Sequence, residues 1–291
     1  MAEYGLILIA IVMFTIQTIS FKDFNSRLMK NLDSYFLFNV FYFTLAVLVF
    51  VVFNRNWESI GPLTIGLSVG FGVLFMATIL LYVKAMELGP LSFSTLLFSM
   101  ALLVPIVVGA AFLDEPIRPL QVAGLALLIV TFVLAGKSSG GDDKKPNLRW
   151  LILIILACLG NGTLMTTTRV HQAILPGQEV EEFLILGFST AALLSLALYF
   201  ARRTRKKQDI GHLRGKRFPV VVLAAGLTTG FGNLVAMILA GRIPAIIQFP
   251  MINGGLVILA TALSALLYHE RITRRTVVGL VIGLVALILL S

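Results

Sequence analysis

Charge is what this sequence has least of. Only 13% of its 291 residues are Asp, Glu, Lys or Arg, about half the share found in a soluble domain. No acidic residue falls deep inside any of its long apolar runs. A water-soluble fold is thereby excluded. There is one cysteine, Cys158, and it lies within an apolar run, which rules out an internal disulfide and a cysteine metal site within one chain. The three histidines, His171, His212 and His269, sit in or beside expected loops, where water or the interface should solvate them. They form no ligand pair at helical spacing, so neither a metal nor a cofactor is expected. Without convergent acid, base or metal-binding side chains, the chain reads as a non-enzyme. Nucleotide fingerprints fail as well. Gly230-Phe-Gly232 follows no strand, and Gly136-Lys-Ser138 has Thr131 where a phosphate loop needs its first glycine.

What the chain has instead is apolar length. A hydrocarbon core of about 30 Å needs about 20 apolar residues per helical crossing, and ten such runs can be read: residues 4–20, 34–53, 62–83, 91–113, 120–135, 150–168, 183–200, 218–240, 245–268 and 277–290. The start lacks a basic segment and a small-residue cleavage site, so residues 4–20 are expected to stay as the first span. Lys22 to Asp33 mark a polar loop. The Lys84-Ala-Met-Glu-Leu-Gly-Pro90 stretch is expected to turn, because Pro90 cannot continue a helix. Pro105 should weaken or kink the fourth span. The net charge of +9 comes from bases between the runs rather than on a separate face, which argues against nucleic acid.

The runs repeat. Gly66-Leu-Ser-Val-Gly-Phe-Gly72 returns as Gly226-Leu-Thr-Thr-Gly-Phe-Gly232, and the interval from Glu115 to Gly124 equals that from Glu270 to Gly279. The expected fold is an all-α membrane protein of about ten transmembrane helices in two inverted five-helix repeats, residues 1–136 and 150–291, joined by a Ser-Gly-rich charged linker at 137–149. An odd number of crossings per half inverts the second half. Nineteen of the 23 bases fall on odd-numbered connections. Basic loops stay cytoplasmic, so the expectation is a multi-pass protein of the plasma or inner membrane with both termini on the outer face.

These residues resemble the drug/metabolite transporter superfamily, in particular its EamA-type branch. The likeness rests on the acidic residue ending the fourth helix of each half (Glu115 and Glu270), the early glycine of the next helix (Gly124 and Gly279), the Gly89-Pro90-Leu-Ser92 turn, and Phe249-Pro250-x-x-Asn253-x-Gly255. The second copy departs at the turn, where Arg242-Ile-Pro244 stands, so no turn function is carried to it. The resemblance implies a central cavity lined by the first, third and fourth helices of each half. That favours Gln17, Asn161, Asn233, Gln248 and Asn253 as substrate-binding residues.

The residues themselves add Ser94 to this set, since a polar side chain at membrane depth must find a partner or line a cavity. Interhelical clamping is the alternative for each of them. Gly70, Gly72, Gly230 and Gly232 are expected in helix packing or gating. Glu115 and Glu270 are expected at the water interface, pairing with Arg118 and Arg271 or serving a gate. The functional expectation is a secondary transporter of a small polar solute, neutral or zwitterionic and amino-acid-like, working by alternating access. The alternatives are a non-transporting sensor or helper subunit and an exporter of organic cations. The expected partners are a small-molecule substrate and the lipid bilayer, and a monomer is compatible with everything read here.

Overall fold

The structure is a computed structural model that describes residues 2–55, 59–136, 147–205, 208–268 and 273–291. Its helices are α1 (Ala2–Arg27), α2 (Leu32–Phe53), α3 (Pro62–Leu88), α4 (Leu91–Ser99), α5 (Leu103–Phe112), α6 (Pro119–Gly136), α7 (Leu148–Ile174), α8 (Val180–Arg205), α9 (Arg217–Ala240), α10 (Ala245–Tyr268) and α11 (Arg274–Leu290). No strand occurs among the described residues. A 3-10 turn, Met100–Leu102, joins α4 to α5 just ahead of Pro105, so the expected weakening of the fourth span takes the form of a tightened turn. Among the described residues eight spans are long and apolar enough to cross a membrane. Helices α6 and α11 are shorter, and at 1.5 Å per residue each still reaches about 26 Å.

The helix ends follow local chemistry. The side chains of Asn31, Asn147 and Thr273 accept the backbone N–H three residues on, at Ser34, Trp150 and Thr276, and start α2, α7 and α11. Pro62 and Pro119 open α3 and α6, where a missing N–H costs no helical bond. Two sequence expectations are corrected here. Helix α1 runs through Lys22 and Asp23 to Arg27, and α3 continues through Lys84 to Leu88, so the turn is confined to Gly89 and Pro90. The reason is energetic: polar residues that have partners lose nothing by staying helical beyond the lipid, and Lys84 pairs with Glu87 on its own helix.

The chain forms two compact units that each draw on both halves of the sequence. One takes Ile9–Met76 and Gly177–Ile238. In it α2 and α8 make the most extensive packing and run antiparallel, because Asn54 at the end of α2 donates to Glu182 at the start of α8 (2.6 Å), while Arg202 near the end of α8 meets Asp33 at the start of α2 (3.4 Å). Phe43, Phe50, Phe71, Phe75, Phe183 and Phe188 fill the space among α2, α3 and α8, with ring centroids between 5.3 and 5.9 Å apart. The glycine repeat is used reciprocally. A Cβ on Gly72 of α3 would strike Gly187 O of α8 at 2.4 Å, and Cβ atoms on Gly226 and Gly230 of α9 would strike Leu45 and Val49 of α2 at 2.5 and 2.7 Å. The two copies are not identical in this respect. Gly66 and Gly70 face open space, so the close packing expected of Gly70 and Gly72 falls to Gly72 alone, while Gly226, Gly230 and Gly232 all meet neighbours.

The other unit takes Met1–Leu8, Ala77–Pro176 and Leu239–Ser291. Its core is largely aliphatic, with Leu102, Ile106, Leu128, Ile246, Ala286 and Leu290 buried together. Helices α6 and α11 pack most extensively, again antiparallel: Gly124 near the start of α6 lies against Ala286 and Leu290 near the end of α11, while Thr131 lies against Gly283. Their buried positions correspond. Gln121, Gly124, Leu128 and Thr131 on α6 stand 155 residues before Thr276, Gly279, Gly283 and Ala286 on α11, and all eight are buried.

Candidate functional site

In the α2–α8 unit the expected substrate-binding residues, Gln17 and Asn233, lie on α1 and α9. Gln17 Nε2 donates to Thr229 Oγ1 across the two helices at 2.6 Å, and Thr229 Oγ1 donates its own proton to Ala225 O at 2.6 Å. One turn later Asn233 Nδ2 donates to Thr229 O at 2.8 Å. Two of the expected substrate-binding residues are therefore held by one threonine. Thr229 is fully buried, while Gln17 and Asn233 remain half-buried. Gly232 makes the approach possible, since a Cβ there would fall 2.9 Å from the Phe14 ring of α1.

In the α6–α11 unit the remaining candidates lie on α4, α7 and α10. Gln248 and Asn253 bracket Pro250 inside α10. Proline has no N–H to return to Ile246 O, so the helix is weakened there. Asn253 Nδ2 donates to Phe249 O, the carbonyl bonded to the proline nitrogen, at 2.8 Å. Gln248 is buried and Asn253 half-buried. Asn161 is half-buried on α7 one residue after Gly160, where a Cβ would strike Thr78 Oγ1 at 2.3 Å. Ser94 is fully buried, accepts from Trp150 Nε1 at 2.8 Å and donates to Pro90 O at 2.9 Å. Its hydroxyl joins α4 to α7, and Gly89 leaves room for the Trp150 ring.

The charged centre of this unit is one that the sequence did not reveal. Glu115 pairs with Arg169 of α7 (2.5 Å) rather than with Arg118. Both side chains are largely buried, with 7% and 13% of their surface exposed, so the solvated carboxylate expected from the sequence is corrected. Glu115 Oε2 also accepts the first N–H of α10, from Ala245, at 2.6 Å, and Arg169 Nη1 donates to Ala240 O at the end of α9. The carboxylate is aimed there by the exit from α5. Asp114 adopts a left-handed φ of 53°, Glu115 N–H returns to Gly109 O, and a side chain on Gly109 would collide with the carboxylate. Glu270 lies outside the described residues. His171 is fully buried beside Gln172 on α7 instead of solvated, because α7 continues to Ile174. His212 meets Ser34 Oγ and Leu28 O, both at 3.0 Å.

The loop end of the α2–α8 unit is tied by further ion pairs. Arg217 makes two bonds to Asp23, at 2.8 and 2.7 Å, and Arg27 meets the same carboxylate at 3.2 Å. Among the described residues no cluster of His, Cys, Asp and Glu has the makings of a metal site.

Comparison with known proteins follows from this architecture. Residues 148–291 match the model described as the EamA-like transporter family. No curated protein matches the chain in sequence. Among 29 matching solved chains is one titled only as the crystal structure of a protein. It superposes with a TM-score of 0.77 at 15% identity, covering 100% of this chain and 96% of that one, which establishes a shared fold.

Proposed function

Since this chain belongs to the EamA-like transporter family and is therefore a multi-pass membrane transporter, we propose that it carries a small polar metabolite, neutral or zwitterionic and amino-acid-like, by alternating access. The observation that carries the substrate class is the make-up of the polar residues at membrane depth. They are amides and hydroxyls, and the buried pair Glu115–Arg169 is spent on itself and on the α9–α10 turn. A site built this way recognises hydrogen-bonding groups without demanding a net charge. The proposed ligands are Gln17, Asn161, Asn233, Gln248 and Asn253. Ser94 remains among them at the α4–α7 contact.

Alternating access draws support from the antiparallel packing of corresponding helices. The second helices of the two halves, α2 and α8, pair with each other, and so do the fifth, α6 and α11. Two five-helix halves that cross the bilayer in opposite senses give this arrangement. Pro250 and the 3-10 turn before Pro105 supply places where α10 and the α4–α5 rod can bend. The distribution of bases supports both termini on the outer face of a plasma or inner membrane, with a small-molecule substrate and lipid as its partners in this reading.

The test is counterflow. Purified protein in liposomes loaded with a metabolite mixture should exchange at least one labelled component, and the Gln248→Leu, Asn253→Leu double variant should lose that exchange while still accumulating as folded protein. A protein that exchanges nothing from the mixture is not a transporter of this class.

A further inference from the structure

We infer that the Gln17–Thr229–Asn233 group recognises the proton-donating, amine-bearing end of the substrate and does not recognise a carboxylate. The inference rests on the transporter reading above and narrows it. Its basis is the direction of three hydrogen bonds that chemistry fixes.

A backbone carbonyl can only accept, so the atom of Asn233 facing Thr229 O must be the NH2 nitrogen. The Thr229 hydroxyl has one proton, and Ala225 O at 2.6 Å takes it. Its oxygen can then only accept from Gln17, which therefore presents its own NH2 at 2.6 Å. Both amides are anchored through nitrogen. Thr228 on the same turn of α9 likewise sends its proton to Ala224 O at 2.6 Å, and Thr18 beside Gln17 sends its proton to Phe14 O at 2.8 Å.

What is left over is unequal. No donor among the described residues reaches Gln17 Oε1 or Asn233 Oδ1. Both amide oxygens keep both lone pairs, against one remaining hydrogen on each amide nitrogen. The group is therefore rich in acceptors. Gln17 and Asn233 are half-buried, so their oxygens are not wholly enclosed by protein. An ammonium group, with three donors and no acceptor, finds several partners there. A carboxylate, which only accepts, would meet lone pairs, and Arg217 at the start of α9 is engaged by Asp23 through two bonds. Partial negative charge from the oxygens strengthens the preference in a low-dielectric setting.

Three labelled probes of one carbon length test this: 1,5-diaminopentane, 5-aminopentanoate and glutarate, each offered to protein in liposomes. Both amines should exchange, and the diamine should exceed glutarate by about tenfold or more, the worth of one hydrogen bond to a charged group. Thr229→Val removes the oxygen that holds the Gln17 NH2 and frees that nitrogen to donate, so the diamine-to-glutarate ratio should fall by about threefold or more. Thr229→Ser keeps the hydroxyl and should keep the ratio, which a merely structural role for Thr229 would not require. Should Thr229→Val fail to accumulate, Asn233→Leu deletes an acceptor and must lower the same ratio. Glutarate exchange as fast as that of the diamine, exchange of none of the three probes, or a ratio indifferent to the variants overturns the inference. None of these results touches the transporter reading, which stands or falls on exchange from the metabolite mixture.

Discussion

Glu115 shows how much a residue's role depends on contacts that its neighbours in sequence cannot reveal. Its nearest base along the chain is Arg118, yet the carboxylate is turned the other way by the left-handed Asp114 and reaches Arg169, 54 residues on. Breaking a buried pair by removing one partner strands the other charge, at a cost of about 3 to 5 kcal/mol. Glu115→Gln is accordingly expected to lower the apparent Tm of the detergent-purified protein markedly, and Arg169→Leu to do the same; a Tm unchanged in both would mean that the pair holds nothing together. The presence of amides at membrane depth was legible from composition and run length. Their orientation was not, because the bond that fixes Gln17 spans 212 residues.

At the scale of elements, apolar runs located every helix but underestimated most of them. Helix α1 extends seven residues beyond the expected end, to Arg27, since Asp23 near its end is met by Arg27 on the same helix and by Arg217 at the start of α9. Helix α7 passes Thr168 to Ile174 for a like reason, Arg169 being paired and His171 buried. The glycine motif was visible twice in the sequence, but only the packed structure separates glycines that admit a neighbour from glycines that face open space. Gly70→Ala should be neutral or stabilising by up to about 1 kcal/mol, the ordinary helix preference for alanine. Gly72→Ala and Gly230→Ala should destabilise, because the added carbon meets the Gly187 carbonyl and the Val49 side chain at 2.4 and 2.7 Å. Thermal melts of the three variants side by side check this, and equal melts for Gly70→Ala and Gly72→Ala would contradict the α3–α8 packing.

For the whole molecule, the sequence repeat divides the chain near its middle, whereas the compact units each gather helices from both halves. Periodicity within one chain reports ancestry and orientation; it carries no information on which helices find each other, which is set by side-chain fit. Orientation is open to a direct check. A reporter fused after Ser291 should be active only on the outer side of the membrane, and one inserted between α8 and α9 only in the cytoplasm. A cytoplasmic carboxyl terminus would reverse the assignment.

The seam of α6 and α11 also limits which substitutions the two helices can accept. Because Gly283 lies against Thr131 and Gly124 against Ala286, bulk gained at either glycine can be absorbed only if bulk is given up across the seam. Two segments far apart in the chain thus answer to one volume constraint, so that a change of size in either is felt by the other.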